Sequence, residues 1–419
     1  MKAPPGLLRD ARSFALLNGT QFLTVFNDNV FKQTVVLLAI ERQGSEGNGQ
    51  ALAQLLFSLP FLLFASYAGD FADRHPKRTM VLGAKWAEVG VMLFAAAALL
   101  SDQLLLGLAA LFLMAAQSAV LGPAKYGAMV EYAGTPALAR ANGIFQAFVM
   151  AGIVTGTACA GVLFEGWSGH RFAIPLLLAG IALAGALLAA RMRSEPAAAP
   201  ARVARFAPLG RLRDGIREAR RVCGLGTSLV AHAAFWLASS LAYIGWNELI
   251  AVDAAGLRLV DSTPRAWSLG LAGLGLMMGL GAAACGRCAH HVSLTRLTFF
   301  GGGLLAAGFA AAGLGPAEPA WIVSFGALAC FGSGFFVIPL RTAIQRLAPA
   351  ERLGAVLGTS QTLDFLGVGL GGLARMGMRP LGMDARDVLV ATGALIAVVT
   401  LLLARGISAA GTEAARSRE

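Results

Sequence analysis

Long apolar runs recur along almost the whole chain and constrain its fold more than any other feature. Crossing a hydrocarbon core of ~30 Å requires about 20 consecutive apolar residues in a helix. The runs are continuous, without the period-two alternation of membrane β-strands. The chain is therefore predicted to be an all-α membrane protein with about twelve transmembrane helices, here called segments 1 to 12. They lie at roughly 14–41, 51–72, 79–101, 103–127, 137–164, 172–192, 225–252, 265–288, 293–314, 318–345, 353–376 and 386–405.

Composition and charge agree with a membrane location. Hydrophobic residues make up 57% of the chain, charged residues only 14%, and the mean hydropathy is +0.67. A soluble protein carries nearer ~25% charged residues. The net charge of +11 does not indicate nucleic-acid binding, because the basic residues gather at the borders of the apolar segments. They are densest in the connections after even-numbered segments, which predicts that these connections and both termini are cytoplasmic.

A basic, proline-containing stretch divides the chain into two halves with six segments each. We expect an N-terminal bundle at 1–192, a cytoplasmic linker at 193–222 and a C-terminal bundle at 223–419. The halves share an ordered series of features, which favours duplication. Pro123 precedes Lys125 near the end of segment 4, and Pro339 precedes Arg341 near the end of segment 10.

Asp28 lies in the middle of the first apolar segment. A carboxylate at membrane depth costs about 3 kcal/mol or more, and such groups usually mark a substrate or ion path. Lys32 follows four residues later on the same helical face, so the two charges could instead neutralise each other. In segment 7, Glu248 could be a proton site, a head-group contact or a residue near the outer surface. Asp364 in segment 11 is a further candidate acid.

The five cysteines lie in or beside the apolar segments. Cys285 and Cys288 are followed by His290 and His291, a spacing that resembles a metal-ligand set. The sequence supplies no second ligand cluster to complete it. We therefore predict no metal and no cofactor.

The loop between segments 2 and 3 reads Gly-Asp-Phe-Ala-Asp-Arg-His-Pro-Lys-Arg at residues 69–78. This pattern resembles the signature loop of the major facilitator superfamily. The twelve segments in two groups of six also resemble the arrangement of that superfamily. The resemblance implies a major facilitator fold, a secondary transporter instead of an enzyme, and a loop that latches the inner gate against the start of segment 11. The implied gating residues are Gly69, Asp70, Asp73, Arg74 and Arg78.

Four shorter motifs resemble the bacterial lysophospholipid transporter branch of that superfamily. They are Phe-Asn-Asp-Asn at 26–29, Gly-Pro-Ala-Lys-Tyr-Gly at 122–127, Ala-Asn-Gly at 141–143 and Phe-Phe-Val-Ile-Pro-Leu at 335–340. The resemblance implies transport of lysophospholipids, chiefly lysophosphatidylethanolamine, across the bacterial inner membrane for re-acylation by a separate acyltransferase. We expect a monomer whose partners are substrate and membrane lipid.

A lysophospholipid can be matched to candidate residues by its chemistry. Asp28 can pair with an ammonium, and Lys125 or its counterpart Arg341 with a phosphate. Lys125 could also be a gate or topology residue. Relatives are expected to carry a basic residue within segment 7 near 236–243, where this chain has none. The full set of predicted substrate-binding residues is Asp28, Asn27, Lys125, Tyr126, Gln146, Glu248, Arg341 and Gln361. The alternative function is a proton-coupled exporter of amphipathic drugs or metabolites.

Overall fold

A computed structural model describes residues 8–43, 49–101, 103–197, 208–251 and 264–416. Within these ranges the chain forms thirteen α-helices. Their bounds are α1 Ala11–Gln43, α2 Gly49–Arg74, α3 Lys77–Leu100, α4 Leu104–Ala133, α5 Leu138–Gly166, α6 Ala173–Ala190, α7 Pro208–Arg221, α8 Leu225–Ala251, α9 Pro264–Cys288, α10 Leu294–Leu314, α11 Pro319–Leu347, α12 Leu353–Met378 and α13 Ala385–Arg416.

The predicted segments coincide with these helices. Segments 1 to 6 are α1 to α6, segments 7 to 12 are α8 to α13, and the short helix α7 falls in the predicted linker. Eight helices of the described residues are long and apolar enough to cross a membrane: α3, α4, α5, α6, α8, α10, α11 and α13. The all-helical prediction is confirmed, while the number of membrane crossings stays a prediction.

The chain forms two compact units. Unit 1 comprises Met1–Leu138, Phe148–Gly215 and Pro349–Thr362. In it, α4 packs against α1, α2 and α3, and α6 packs against α1 and α3. Its core includes Val30 and Phe31 of α1, which are fully buried. Apolar burial of this kind, together with close packing of small residues, holds the helices together.

Unit 2 comprises Ala139–Ala147, Ile216–Ala348 and Leu363–Glu419. In it, α10 packs against α11 and α13, and α8 packs against the same two helices. Phe235 of α8 and Phe336 of α11 are buried in its core, with ring centroids 6.1 Å apart.

The predicted series of shared features has the same local structure in both halves. Pro123 lies inside α4 and Pro339 inside α11. A single 3-10 turn follows each of these helices, at Thr135–Ala137 and at Ala350–Arg352. Each turn leads directly into the next long helix, α5 or α12.

Candidate functional site

The carboxylate of Asp28 lies within unit 1, and its two oxygens have different surroundings. Oδ2 accepts a hydrogen bond of 2.8 Å from the hydroxyl of Ser118 on α4. Oδ1 is buried and has no hydrogen-bond partner among the described residues. A buried acceptor without a donor is costly unless another group satisfies it. Asp28 therefore has one oxygen held by the protein and one that can take a donor from a ligand.

The sequence left the roles of two lysines open: Lys32 could neutralise Asp28, and Lys125 could bind a phosphate or be a gate or topology residue. The ammonium of Lys32 lies 5.1 Å from the ring centroid of Phe57 on α2. The ammonium of Lys125 lies 5.7 Å from the ring centroid of its neighbour Tyr126. Both lysines are partly buried members of unit 1. Cation–π contacts of this kind stabilise a partly desolvated ammonium.

The structure places Asn27 in a buried polar network. Its amide donates to Oε1 of Glu88 at 2.8 Å and to the carbonyl of Leu178 at 2.9 Å. Lys85 completes the network, because its ammonium lies 2.6 Å from Oε2 of Glu88 and 3.1 Å from the hydroxyl of Thr24. The side chains of Lys85 and Glu88 are both fully buried. Asn27 thus links α1 to α3 and α6.

Sequence reasoning missed the pair formed by Lys85 and Glu88. The signal was present, since two opposite charges stand three residues apart in an otherwise apolar segment. Gly185 of α6 packs against this pair. A Cβ at Gly185 would lie 2.4 Å from Cε of Lys85, so a larger residue there would require the lysine side chain to shift.

Arg341 lies in a buried charged cluster of unit 2. Its guanidinium donates to Oδ2 of Asp364 at 3.2 Å. The other oxygen of that carboxylate lies 2.6 Å from Nδ1 of His232 on α8. His232 was not weighed as a site residue in the sequence, although it is a basic group of segment 7, one helical turn before the region where a basic residue was expected. Buried charges need such partners.

Of the remaining predicted polar residues, the structure describes the side chains of Gln361 and Gln146. Gln361 packs against α4 in unit 1, where a Cβ at Gly122 would lie 2.0 Å from its Oε1. Gln146 lies partly buried on α5. The side chain of Glu248 lies outside the described residues.

The predicted gating loop contacts the start of α12 within unit 1. Oδ1 of Asp73 accepts a hydrogen bond of 2.6 Å from the backbone N–H of Gly354, and Oδ2 accepts one of 3.0 Å from Ala355. These N–H groups belong to the first turn of the helix, which has no internal partners for them and favours a negative charge. Burial raises the pKa of Asp73 to about 6, although the two backbone hydrogen bonds act in the opposite direction.

The other charged residues of the loop form a second set of contacts. Asp70 pairs with Arg74 one turn later in α2. It also lies 3.5 Å from the guanidinium of Arg211, which belongs to the linker helix α7. Arg78 at the start of α3 donates to the carbonyl of Ala190 at the end of α6. The loop is thus tied to both the linker helix and α6.

A sequence profile of the Major Facilitator Superfamily matches residues 17–372, most of the chain. The chain belongs to the Major Facilitator Superfamily. It is accordingly a secondary transporter and not an enzyme, as predicted.

The sequence is also similar to proteins named lysophospholipid transporter LplT. One from Enterobacter sp. (strain 638) is 26% identical over 90% of this chain and 90% of its own length. One from Klebsiella pneumoniae (strain 342) is 26% identical over 89% of each chain. One from Photorhabdus laumondii is 32% identical over 39% of this chain and 38% of its own. The resemblance to that branch is confirmed.

Solved structures support the fold. A bacterial homologue of the iron transporter ferroportin has a TM-score of 0.73 at 13% identity, with 94% of this chain and 99% of that one covered. The human organic anion transporter MFSD10 has a TM-score of 0.73 at 15% identity and covers 96% of this chain and all of its own. At such identities the likeness concerns the fold and not the substrate.

Proposed function

We propose that this chain transports lysophospholipids such as lysophosphatidylethanolamine across the bacterial inner membrane by alternating access, for re-acylation by an acyltransferase. The relatives named as lysophospholipid transporters support this substrate class along 90% of the chain. In the structure, the proposal depends chiefly on Asp28. Its carboxylate is partly buried in an apolar helix and has one oxygen without a partner in the described residues.

The proposed contact is an ion pair between Asp28 and the ammonium of the head group. A charge-assisted hydrogen bond to the unpartnered oxygen would satisfy it and would offset the loss of hydration of both groups. Lys125 and Arg341 are proposed to contact the phosphate, with Tyr126, Gln146 and Gln361 as neutral hydrogen-bonding residues. Asn27 would act indirectly, because its amide already binds Glu88 and Leu178. Glu248 keeps its three possible roles.

The topology belongs to the same proposal. Twelve membrane crossings would form two six-helix bundles at 1–192 and 223–419, joined by the cytoplasmic linker 193–222. The concentration of basic residues in even-numbered connections supports cytoplasmic termini. In this arrangement Gly69, Asp70, Asp73, Arg74 and Arg78 would stabilise a state that is closed toward the cytoplasm. The transporter would work as a monomer.

A flipping assay in proteoliposomes tests the function. Purified protein is reconstituted with labelled lysophosphatidylethanolamine, and the fraction that crosses the bilayer is followed by back-extraction with albumin. Flipping faster than in empty vesicles is expected, and a diacyl phosphatidylethanolamine of the same label serves as the control. Rates equal to those of empty vesicles, with drug efflux present instead, would indicate the proton-coupled exporter.

A further inference from the structure

The cluster of His232, Asp364 and Arg341 contains a buried basic nitrogen that the transport proposal does not use. Nδ1 of His232 lies 2.6 Å from Asp364, so the ring donates from this nitrogen to the carboxylate. The opposite ring nitrogen, Nε2, is buried and has no hydrogen-bond partner among the described residues. His232 itself is fully buried. A neutral imidazole in this orientation offers a lone pair that can accept a proton.

The charges that face His232 come from two neighbouring helices. Asp364 lies on α12 and Arg341 on α11. Helix α13 also packs against α8 and contains no charged residue from Val388 to Ala404. Helix α8 has no other charged residue from Leu225 to Trp246. With a neutral imidazole, the carboxylate and the guanidinium balance each other.

Adding a proton to Nε2 changes this balance. The cluster would then carry two positive charges and one negative charge in a buried position, which is unfavourable without a further anion. A phosphodiester carries one negative charge and would restore neutrality. The imidazolium would then strengthen its hydrogen bond to Asp364, while the guanidinium of Arg341 has donors in a fork that suits a phosphate.

We propose that His232, Asp364 and Arg341 form a proton-linked anion site, in which the proton on His232 and a phosphodiester on Arg341 bind together. The proton enters at Nε2 from water and returns to water when the anion leaves. The site therefore binds and releases one proton together with each anion. The identity of the anion as a lysophospholipid head group depends on the proposed function. The protonation of His232 does not.

A neighbouring tryptophan supplies a readout that does not depend on transport. Trp236 lies one turn after His232, and the two ring centroids are 6.4 Å apart. A change in the charge of the imidazole alters the fluorescence of a ring at this distance. Protein in detergent should show a fluorescence transition as the pH is lowered and the imidazole gains its proton. H232Q should lose it, because a glutamine amide can still donate to Asp364 but does not titrate.

Two variants serve as controls for this titration. W236F should also lose the transition, which assigns the signal to that ring. H291Q removes an exposed histidine of the same unit and should keep it. Identical curves for wild-type protein and H232Q would overturn the proposal. If H232Q does not fold, D364N provides the second test, because loss of the carboxylate should move the transition to lower pH.

The linkage to an anion is tested by adding lysophosphatidylethanolamine or its soluble head group, glycerophosphoethanolamine. Because binding is reciprocal, an anion that prefers the protonated site must move the transition to higher pH. A shift of about 0.5 pH unit or more with either compound is expected, and it should disappear in R341Q. No shift with either compound would overturn the anion part of the proposal.

The flipping assay separates this proposal from the general function. Wild-type flipping should be at least ~3-fold faster at pH 6 than at pH 8, equivalent to ~0.6 kcal/mol, and H232Q should lose this difference. Flipping without any dependence on His232 would refute the proton-linked site and leave the transport function standing. A His232 titration without flipping would refute the transport function instead.

Discussion

The backbone N–H of Gly354 donates a hydrogen bond of 2.6 Å to the carboxylate of Asp73, which places an acid of the signature loop at the first turn of α12. Glycines allow this approach. A Cβ at Gly69 would lie 2.1 Å from the carbonyl oxygen of Gly354, and one at Gly358 would lie 2.3 Å from that of Ala65. The backbones of α2 and α12 are therefore in direct contact within unit 1.

Adding a methyl group at this contact should destabilise it. In Gly69→Ala the new Cβ meets backbone and not a flexible side chain, so one helix must move. Overpacking of this kind costs about 1–3 kcal/mol, and the melting temperature of the protein in detergent should fall. Gly83→Ala in α3 is the matched control, since nothing lies within 4 Å of its Cβ. Equal melting temperatures for the two variants would contradict the contact.

The pKa of Asp73 predicts how stability depends on pH. Its folded-state pKa of about 6 lies above the ordinary value of 3.8, so the folded protein holds the proton more tightly than the unfolded chain. The stability contributed by this group is complete below about pH 4 and is lost as pH rises to about 6, by a few kcal/mol at most. Asp73→Asn removes the titration.

Thermal unfolding at several pH values measures this effect. The melting temperature of wild-type protein relative to Asp73→Asn should be highest near about pH 4 and should fall until about pH 6. It should then stay constant up to about pH 8. A difference that rises with pH over this range would mean that the backbone hydrogen bonds outweigh burial.

The buried pair in α3 predicts a strongly non-additive result. Lys85→Met leaves the carboxylate of Glu88 buried without its ammonium, and such losses cost about 3–5 kcal/mol. The double variant K85M/E88M removes both charges and should recover much of that loss, because a fully apolar replacement is often neutral. Melting temperatures of wild-type protein, K85M, E88M and K85M/E88M test this. If the double variant is as unstable as the sum of both single variants, the two groups act independently.

The apolar pattern predicted the helices well because helix length and hydrophobicity are local properties of the sequence. The contact of the signature loop with the start of segment 11 was also foreseen, because the loop resembles the signature of the superfamily. Tertiary partners were harder to predict. Nothing local to Asn27 shows that its amide binds Glu88, which lies 61 residues away. The same holds for His232 and Asp364, which are 132 residues apart.

For Asp28, the sequence predicted the functional position but not the tertiary partners. Its position in an apolar run marked it as functional from the sequence, but the competing explanation involved Lys32. In the structure, the carboxylate accepts a hydrogen bond from Ser118, and the ammonium of Lys32 lies over Phe57. Each of the two groups thus has a further contact, and a direct test distinguishes ligand binding by Asp28 from mutual neutralisation with Lys32.

Asp28→Asn should reduce the flipping of lysophosphatidylethanolamine at least ~10-fold, equivalent to ~1.4 kcal/mol, with normal expression. The amide keeps the shape of the side chain and an acceptor for Ser118, but it cannot form an ion pair with the ammonium of the head group. Glu165→Gln neutralises an exposed acid of the same unit and should flip like wild-type protein. The double variant D28N/K32Q addresses the remaining alternative: if the two side chains only balance each other, removing both charges restores transport. Wild-type rates for Asp28→Asn would assign the carboxylate a structural role alone.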